Sequence, residues 1–148
     1  MTTETSLPTT PLWQWDATDI AAGIRSRAIS AREALTACFE RMDAVNGRIN
    51  AVVIRLDESA FKAADRADAA LAAGEEAGPL HGVPVTIKVL SDQKGYASTN
   101  SCRIYEDVVA TEDSPFLRHM REKDAIVIGR TNTPAFSYRW FTTNGFYG

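Results

Sequence analysis

The side chain best placed for chemistry in this 148-residue sequence is a lysine that closes an alternating run, Gly78-Pro-Leu-His-Gly-Val-Pro-Val-Thr-Ile-Lys88. Val83, Val85, Ile87 and Val89 fall on one side of a strand, and Gly82, Pro84, Thr86 and Lys88 on the other. The lysine is thus aimed away from the apolar face. Gly82 and Pro84 strip its own face of bulk and limit regular ladder pairing, which suits a strand end beside a cavity. An uncharged amine in such a place can take a proton as a general base or attack a carbonyl to form a Schiff base. The plain alternative is a strand lysine that only faces water, the usual fate of ammonium groups.

Cysteine and histidine offer less. Cys38 falls on the apolar stripe of a helix and reads as core. Cys102 lies in the polar stretch Thr99-Asn-Ser-Cys-Arg103, and a nucleophilic role there requires a base, for which His81 and His119 are the histidines available. His81 sits beside Gly82, where a lone imidazole reads as a structural hydrogen-bonding group. Two distant histidines without clustered Cys or carboxylate partners give no metal-ligand spacing. Neither a Gly-x-Gly-x-x-Gly nor a P-loop pattern occurs, so no cofactor is expected.

Several elements must hold Lys88 in place. Residues 1–15 read as a loose arm, with Trp13 and Trp15 packing its end down. Asp16 caps a short helix to about Ser26, with Ile20 and Ile24 on one face. Ser30 and Glu33 form a capping box for a longer helix with the stripe Leu35, Cys38, Phe39, Met42 and Val45, and Asn46-Gly47 supplies its stop. Ala51–Leu56 reads as a short buried strand. Asp57 opens an alanine-rich helix ending at Gly74, its inner face Phe61, Ala64, Ala67 and Leu71. Beyond the Lys88 strand, Asp113 or Ser114 caps a helix with Pro115 in its first turn and Phe116, Leu117 and Met120 facing inward. Ala125–Ile128 returns as a strand, and Thr133-Pro134 starts a short helix that turns Phe136 and Trp140 inward. Strands alternating with helices predict an α/β fold with a mostly parallel sheet.

Composition bounds the function. Hydrophobic residues at 45% and charged residues at 24% are ordinary for a globular protein. A net charge of -3 with dispersed basic residues gives no footprint for nucleic acid. No apolar run approaches the ~20 residues a spanning helix requires, and Met1-Thr-Thr-Glu-Thr-Ser-Leu-Pro has neither a basic nor an apolar leader region. A cytoplasmic protein with reduced thiols, without membrane or nucleic-acid partners, is expected.

Three segments carry a resemblance: Leu80-His-Gly-Val-Pro-Val-Thr-Ile-Lys88, then Ala125-Ile-Val-Ile-Gly-Arg-Thr-Asn-Thr-Pro-Ala-Phe136, then Thr143-Asn-Gly-Phe-Tyr-Gly148. Together they resemble the N-terminal part of an amidase-signature hydrolase, the family that includes bacterial amidases, fatty-acid amide hydrolase and the A subunit of the glutaminyl-tRNA amidotransferase. The resemblance implies a Ser-cisSer-Lys triad in which Lys88 is the base. The Gly-Ser-Ser-Gly-Gly type segment that carries the family's serines does not occur in these residues, and Val89 stands where many members have an acidic residue.

The resemblance therefore implies an amidase fragment, with helices on a mostly parallel mixed sheet that is incomplete in this chain. It divides into the arm 1–15, a helical section 16–75, and the start of the α/β core at 76–148. The complete enzyme would take a small-molecule amide, while the 148 residues alone would be inactive and prone to self-association through uncovered apolar surface. The alternatives are a non-catalytic binding or scaffolding module that keeps the lysine strand, and a Schiff-base lysine enzyme.

Overall fold

The computed structural model describes residues 7–148; the first part of the expected arm, residues 1–6, lies outside them. From Leu12 to Gln14 the chain makes a 3-10 turn. Trp15 donates its indole N–H to the Thr10 carbonyl (2.8 Å) and packs on the core, while Trp13 lies under the Arg41 guanidinium.

Helix α1 (Ala17–Arg25) buries Ile20 and Ile24, as their spacing requires. Helix α2 (Ala31–Ile49) begins with the full capping box. The Ser30 hydroxyl accepts from Glu33 N–H (3.0 Å), and the Glu33 carboxylate accepts from Ser30 N–H (2.7 Å). Asp68 adds a second clamp on the same helix end, accepting from Ala31 N–H at 2.7 Å. The helix does not stop at Asn46-Gly47. The Asn46 side chain instead bonds both main-chain groups of Val52, and the chain turns at Asn50, whose φ is 47°.

Strand β1 (Val52–Arg55) is half-buried and not a core strand, because it lies on an edge of the sheet. Helix α3 (Asp57–Ala72) follows, with Ala60 and Ala64 buried. Strands β2 (Pro84–Lys88) and β3 (Ile126–Thr131) flank helix α4 (Pro115–Glu122) in sequence. In α4 Leu117 alone is fully buried, and Phe116 faces outward. Asp113 caps nothing in that helix. Its carboxylate accepts from Lys94 N–H and pairs with Arg121.

The three strands form a mixed sheet in the order β1-β3-β2, parallel between β2 and β3 and antiparallel between β1 and β3. The protein thus has the mixed α/β fold expected. One core, around Ile24, Leu35, Phe39, Ala64, Val83, Ile126 and Ile128, sits between the sheet and α1 to α3. A second, smaller one joins Leu56, Ile87, Leu117 and Val127. Burying a side chain such as Leu35 or Leu117 contributes roughly 1.5–3 kcal/mol.

Two glycines hold the layers together. Gly82 has φ +76°, and a Cβ there would lie 2.7 Å from the Ala31 Cβ, where the turn into β2 crosses α2. A Cβ on Gly129 would meet Val52 at 2.7 Å and crowd the β1–β3 ladder.

Candidate catalytic lysine site

Strands β2 and β3 run parallel and end together, with Lys88 in register beside Thr131. Their carboxyl ends therefore open on one edge, the place where open α/β sheets receive ligands. The alternation expected of β2 is interrupted between Val85 and Thr86, where the register shifts. Val83 and Val89 are still buried, and Thr86 and Lys88 are exposed. Val83 and Ile87 belong to separate core clusters, so they do not form one apolar wall beside the lysine.

The Lys88 ammonium is not isolated. Its Nζ donates to the Ser137 hydroxyl at 3.1 Å, and the same oxygen accepts from Thr133 Oγ1 at 3.2 Å. Thr133 is almost fully buried. The Asn132 side-chain oxygen accepts from Thr133 N–H (2.9 Å) and from the Asn144 amide (2.7 Å), which also donates to the Thr133 carbonyl. Asn144 Oδ1 in turn accepts from Phe146 and Tyr147 N–H, folding the last residues back toward the sheet. The lysine thus ends a chain of polar groups rooted in the C-terminal segment.

The turn that presents Ser137 is strained. Phe136 (φ 52°) and Ser137 (φ 58°) are consecutive left-handed residues without glycine's freedom, a conformation costing about 1–3 kcal/mol each and common at functional sites. Phe136 N–H donates to the Asn100 carbonyl (3.1 Å), Ser137 N–H to Pro134 (2.8 Å), and the Phe136 ring packs between Tyr105 and Tyr138. A 3-10 turn at Ala135–Ser137 replaces the expected short helix, and Trp140 is fully exposed, not turned inward.

Arg130 organises the loop after the lysine. Fully buried in β3, it donates to the carbonyls of Val89 (3.2 Å), Ser91 (2.8 Å) and Ala97 (2.8 Å). Burial pushes its pKa below the ordinary guanidinium value, with the nearby Tyr147, Tyr96 and Asp92 opposing that shift. An arginine inside Ile-Val-Ile-Gly-Arg-Thr carries no sequence signal that separates this role from a strand-end surface residue. The only hint is its place two residues after a run of buried β-branched side chains.

The remaining candidates are structural. His81 lies between Asp124 (3.3 Å) and the Ala67 carbonyl (3.0 Å). Cys38 packs against the helical core, and burial raises its thiol pKa. Among the described residues neither histidine is bonded to a cysteine side chain. Grooves of about 420 Å³ lie elsewhere, one lined by Ile24, Arg27, Ser30, Glu33, Asp68 and Leu71 among others, and do not include Lys88.

The mixed α/β fold is one shared with amidase signature enzymes. Residues 33–148 match the family model described as Amidase, and the chain belongs to the amidase family. It is 50% identical over 141 residues to the indoleacetamide hydrolase of Bradyrhizobium diazoefficiens, covering 95% of this chain and 27% of that protein. It is 37% identical over 132 residues to an acylamidase of Rhodococcus erythropolis, covering 89% of this chain and 28% of that protein. Among solved structures, a bacterial aryl acylamidase of the amidase signature enzymes superposes with a TM-score of 0.86 at 28% identity, over 94% of this chain and 29% of the other. The chain therefore spans less than a third of the length of these relatives.

Proposed function

We propose that these residues are the base-bearing part of an amidase that cleaves carboxylic amide C–N bonds, with Lys88 as the base of a Ser-cisSer-Lys triad. The observation that carries the reading is Lys88 itself, held at the carboxyl end of a parallel strand within a chain of the amidase family. In the proposed reaction an unprotonated Lys88 takes a proton from a bridging serine, which takes one from the nucleophilic serine. That serine attacks the amide carbonyl, main-chain N–H groups hold the oxyanion, the amine leaves with the proton returned from Lys88, and water then cleaves the acyl-serine ester to release the acid and restore the serine. Both serines would come from outside these 148 residues.

The base must be neutral, and an ordinary lysine has a pKa near ~10.4, so the reaction requires that Lys88 be desolvated. Lys88 is exposed in this structure; the covering surface in this proposal belongs to the serine-bearing part. The substrate class we propose is a small carboxylic amide. Its first representative is indoleacetamide, on the strength of the 50% identical relative. In the same reading, residues 76–148 begin the catalytic core and 16–75 form a helical section packed on it.

The test is Lys88→Ala in the complete enzyme, assayed on indoleacetamide and simple aryl amides. The expected result is a loss of several orders of magnitude in kcat with the fold intact, because members of a catalytic unit fail together. A variant with near-normal turnover would remove Lys88 from the role. The 148-residue chain alone is expected to be inert toward the same amides. Turnover by it that disappears in Lys88→Ala would instead point to a self-contained enzyme.

A further inference from the structure

We propose that Ser137 is the positioning residue for Lys88, fixing where the amine sits through a hydroxyl that is itself held by buried Thr133. The catalytic meaning of this assignment rests on the amidase reading; the geometry does not.

A lysine at a strand end has four rotatable bonds and no reason to stay in one place. Its Nζ is nonetheless 3.1 Å from Ser137 Oγ, across 49 positions of sequence. That oxygen also accepts from Thr133 Oγ1, so two donors converge on one acceptor and fix its location. Thr133 cannot move freely, being buried with its N–H and C=O held by Asn132 and Asn144. The left-handed backbone at Phe136 and Ser137 is what brings the hydroxyl round to face the strand end. It is fastened on both sides, by Phe136 N–H to Asn100 and Ser137 N–H to Pro134. A structural turn with no such duty could relax to an ordinary conformation; here the unfavourable one is held by these two main-chain bonds.

The arrangement also suits a base that changes charge. A protonated amine donates to Ser137 Oγ, and a neutral one can either donate or accept the Ser137 O–H. Ser137 therefore keeps hold of Nζ in both protonation states without adding a charge that would fix one of them. A carboxylate in the same place would favour the protonated lysine and defeat a base.

The experiment uses the 148-residue chain labelled with ¹⁵N, with the lysine ammonium resonances followed by NMR at mildly acidic pH. Lys88 is expected to exchange its Nζ protons with water more slowly than exposed Lys94 and Lys123, by roughly two- to twelve-fold, the factor that one net hydrogen bond supplies. Ser137→Ala should bring Lys88 to the rate of those two. Ser137→Gly removes the hydroxyl while easing the positive φ, and should do the same; Ser137→Asn, which tolerates that φ and keeps an acceptor, should retain slow exchange. Unchanged exchange in both the Ala and Gly variants would overturn the assignment while leaving the amidase reading untouched. In the complete enzyme, Ser137→Ala should lower kcat with KM unchanged. A raised KM at constant kcat would make Ser137 a substrate contact and refute the positioning role. Should Lys88→Ala retain turnover, the role of Lys88 as base falls while the exchange result still stands.

Discussion

Arg130 shows what a buried charge can do when no carboxylate pairs with it directly. Its guanidinium faces three main-chain carbonyls from a loop that leaves the Lys88 strand and returns across the sheet edge. Removing the donors takes a partner from each carbonyl, at about 1–3 kcal/mol for one left buried and unsatisfied, as at Val89. Arg130→Met, which keeps much of the bulk, is expected to lower stability by several kcal/mol and to raise amide hydrogen exchange between residues 89 and 98. Arg130→Lys should rescue little, because a single ammonium cannot fork to three acceptors. A Met variant that melts with the wild type would show that the loop holds itself. The strand that ends at Lys88 was legible in the sequence. Arg130 and Ser137 were not, since each acts through partners far along the chain: Arg130 on carbonyls 33 to 41 residues away, Ser137 on an amine 49 residues away.

Local rules succeed where an element's ends are closed by its own neighbours. The Ser30–Glu33 box is such a case, and its chemistry gives helix α2 a pH dependence. Main-chain donation from Ser30, then its hydroxyl, holds the Glu33 pKa below the usual carboxylate value. A lowered folded-state pKa means that the stabilisation is fully present above the unfolded value, near ~4.3, and is lost as the pH falls through the folded one. Ser30→Ala is expected to cost about 0.5–2 kcal/mol at neutral pH. The difference in melting temperature between wild type and Glu33→Gln should be present at pH 7 and should shrink below about pH 4. A difference that persists unchanged into acid would exclude the carboxylate as its source. The other end of α2 departs from expectation because Asn46-Gly47 is a stop only when Asn46 has no better partner. Val52 provides one, and the helix gains a further turn. The expected inward helix after Thr133 failed for a similar reason: Asn132 and Asn144 fix Thr133, and the chain turns left-handed at once.

At the scale of the molecule, the sheet has more open boundary than its cores can cover. Among the described residues both β1 and β2 are edge strands, so the strand that carries Lys88 pairs only on its β3 side. Pro84 removes one donor from β2, a partial guard against added strands. Tyr138, Trp140 and Phe141 are exposed by 87%, 100% and 82%. Ile104 adds another exposed apolar side chain, at 83%. Exposed apolar groups at this density mark surfaces that another chain or segment covers. The 148-residue chain is therefore expected to self-associate at micromolar concentration and to melt broadly. The combined change Trp140→Ser and Phe141→Ser should weaken association without lowering the melting temperature, since neither ring contributes to the two cores. Sedimentation velocity across a dilution series, with thermal melts of both proteins, decides the matter. A monomer that resists concentration and melts sharply would show that three strands and four helices close their own core, and the non-catalytic module would then become the stronger reading.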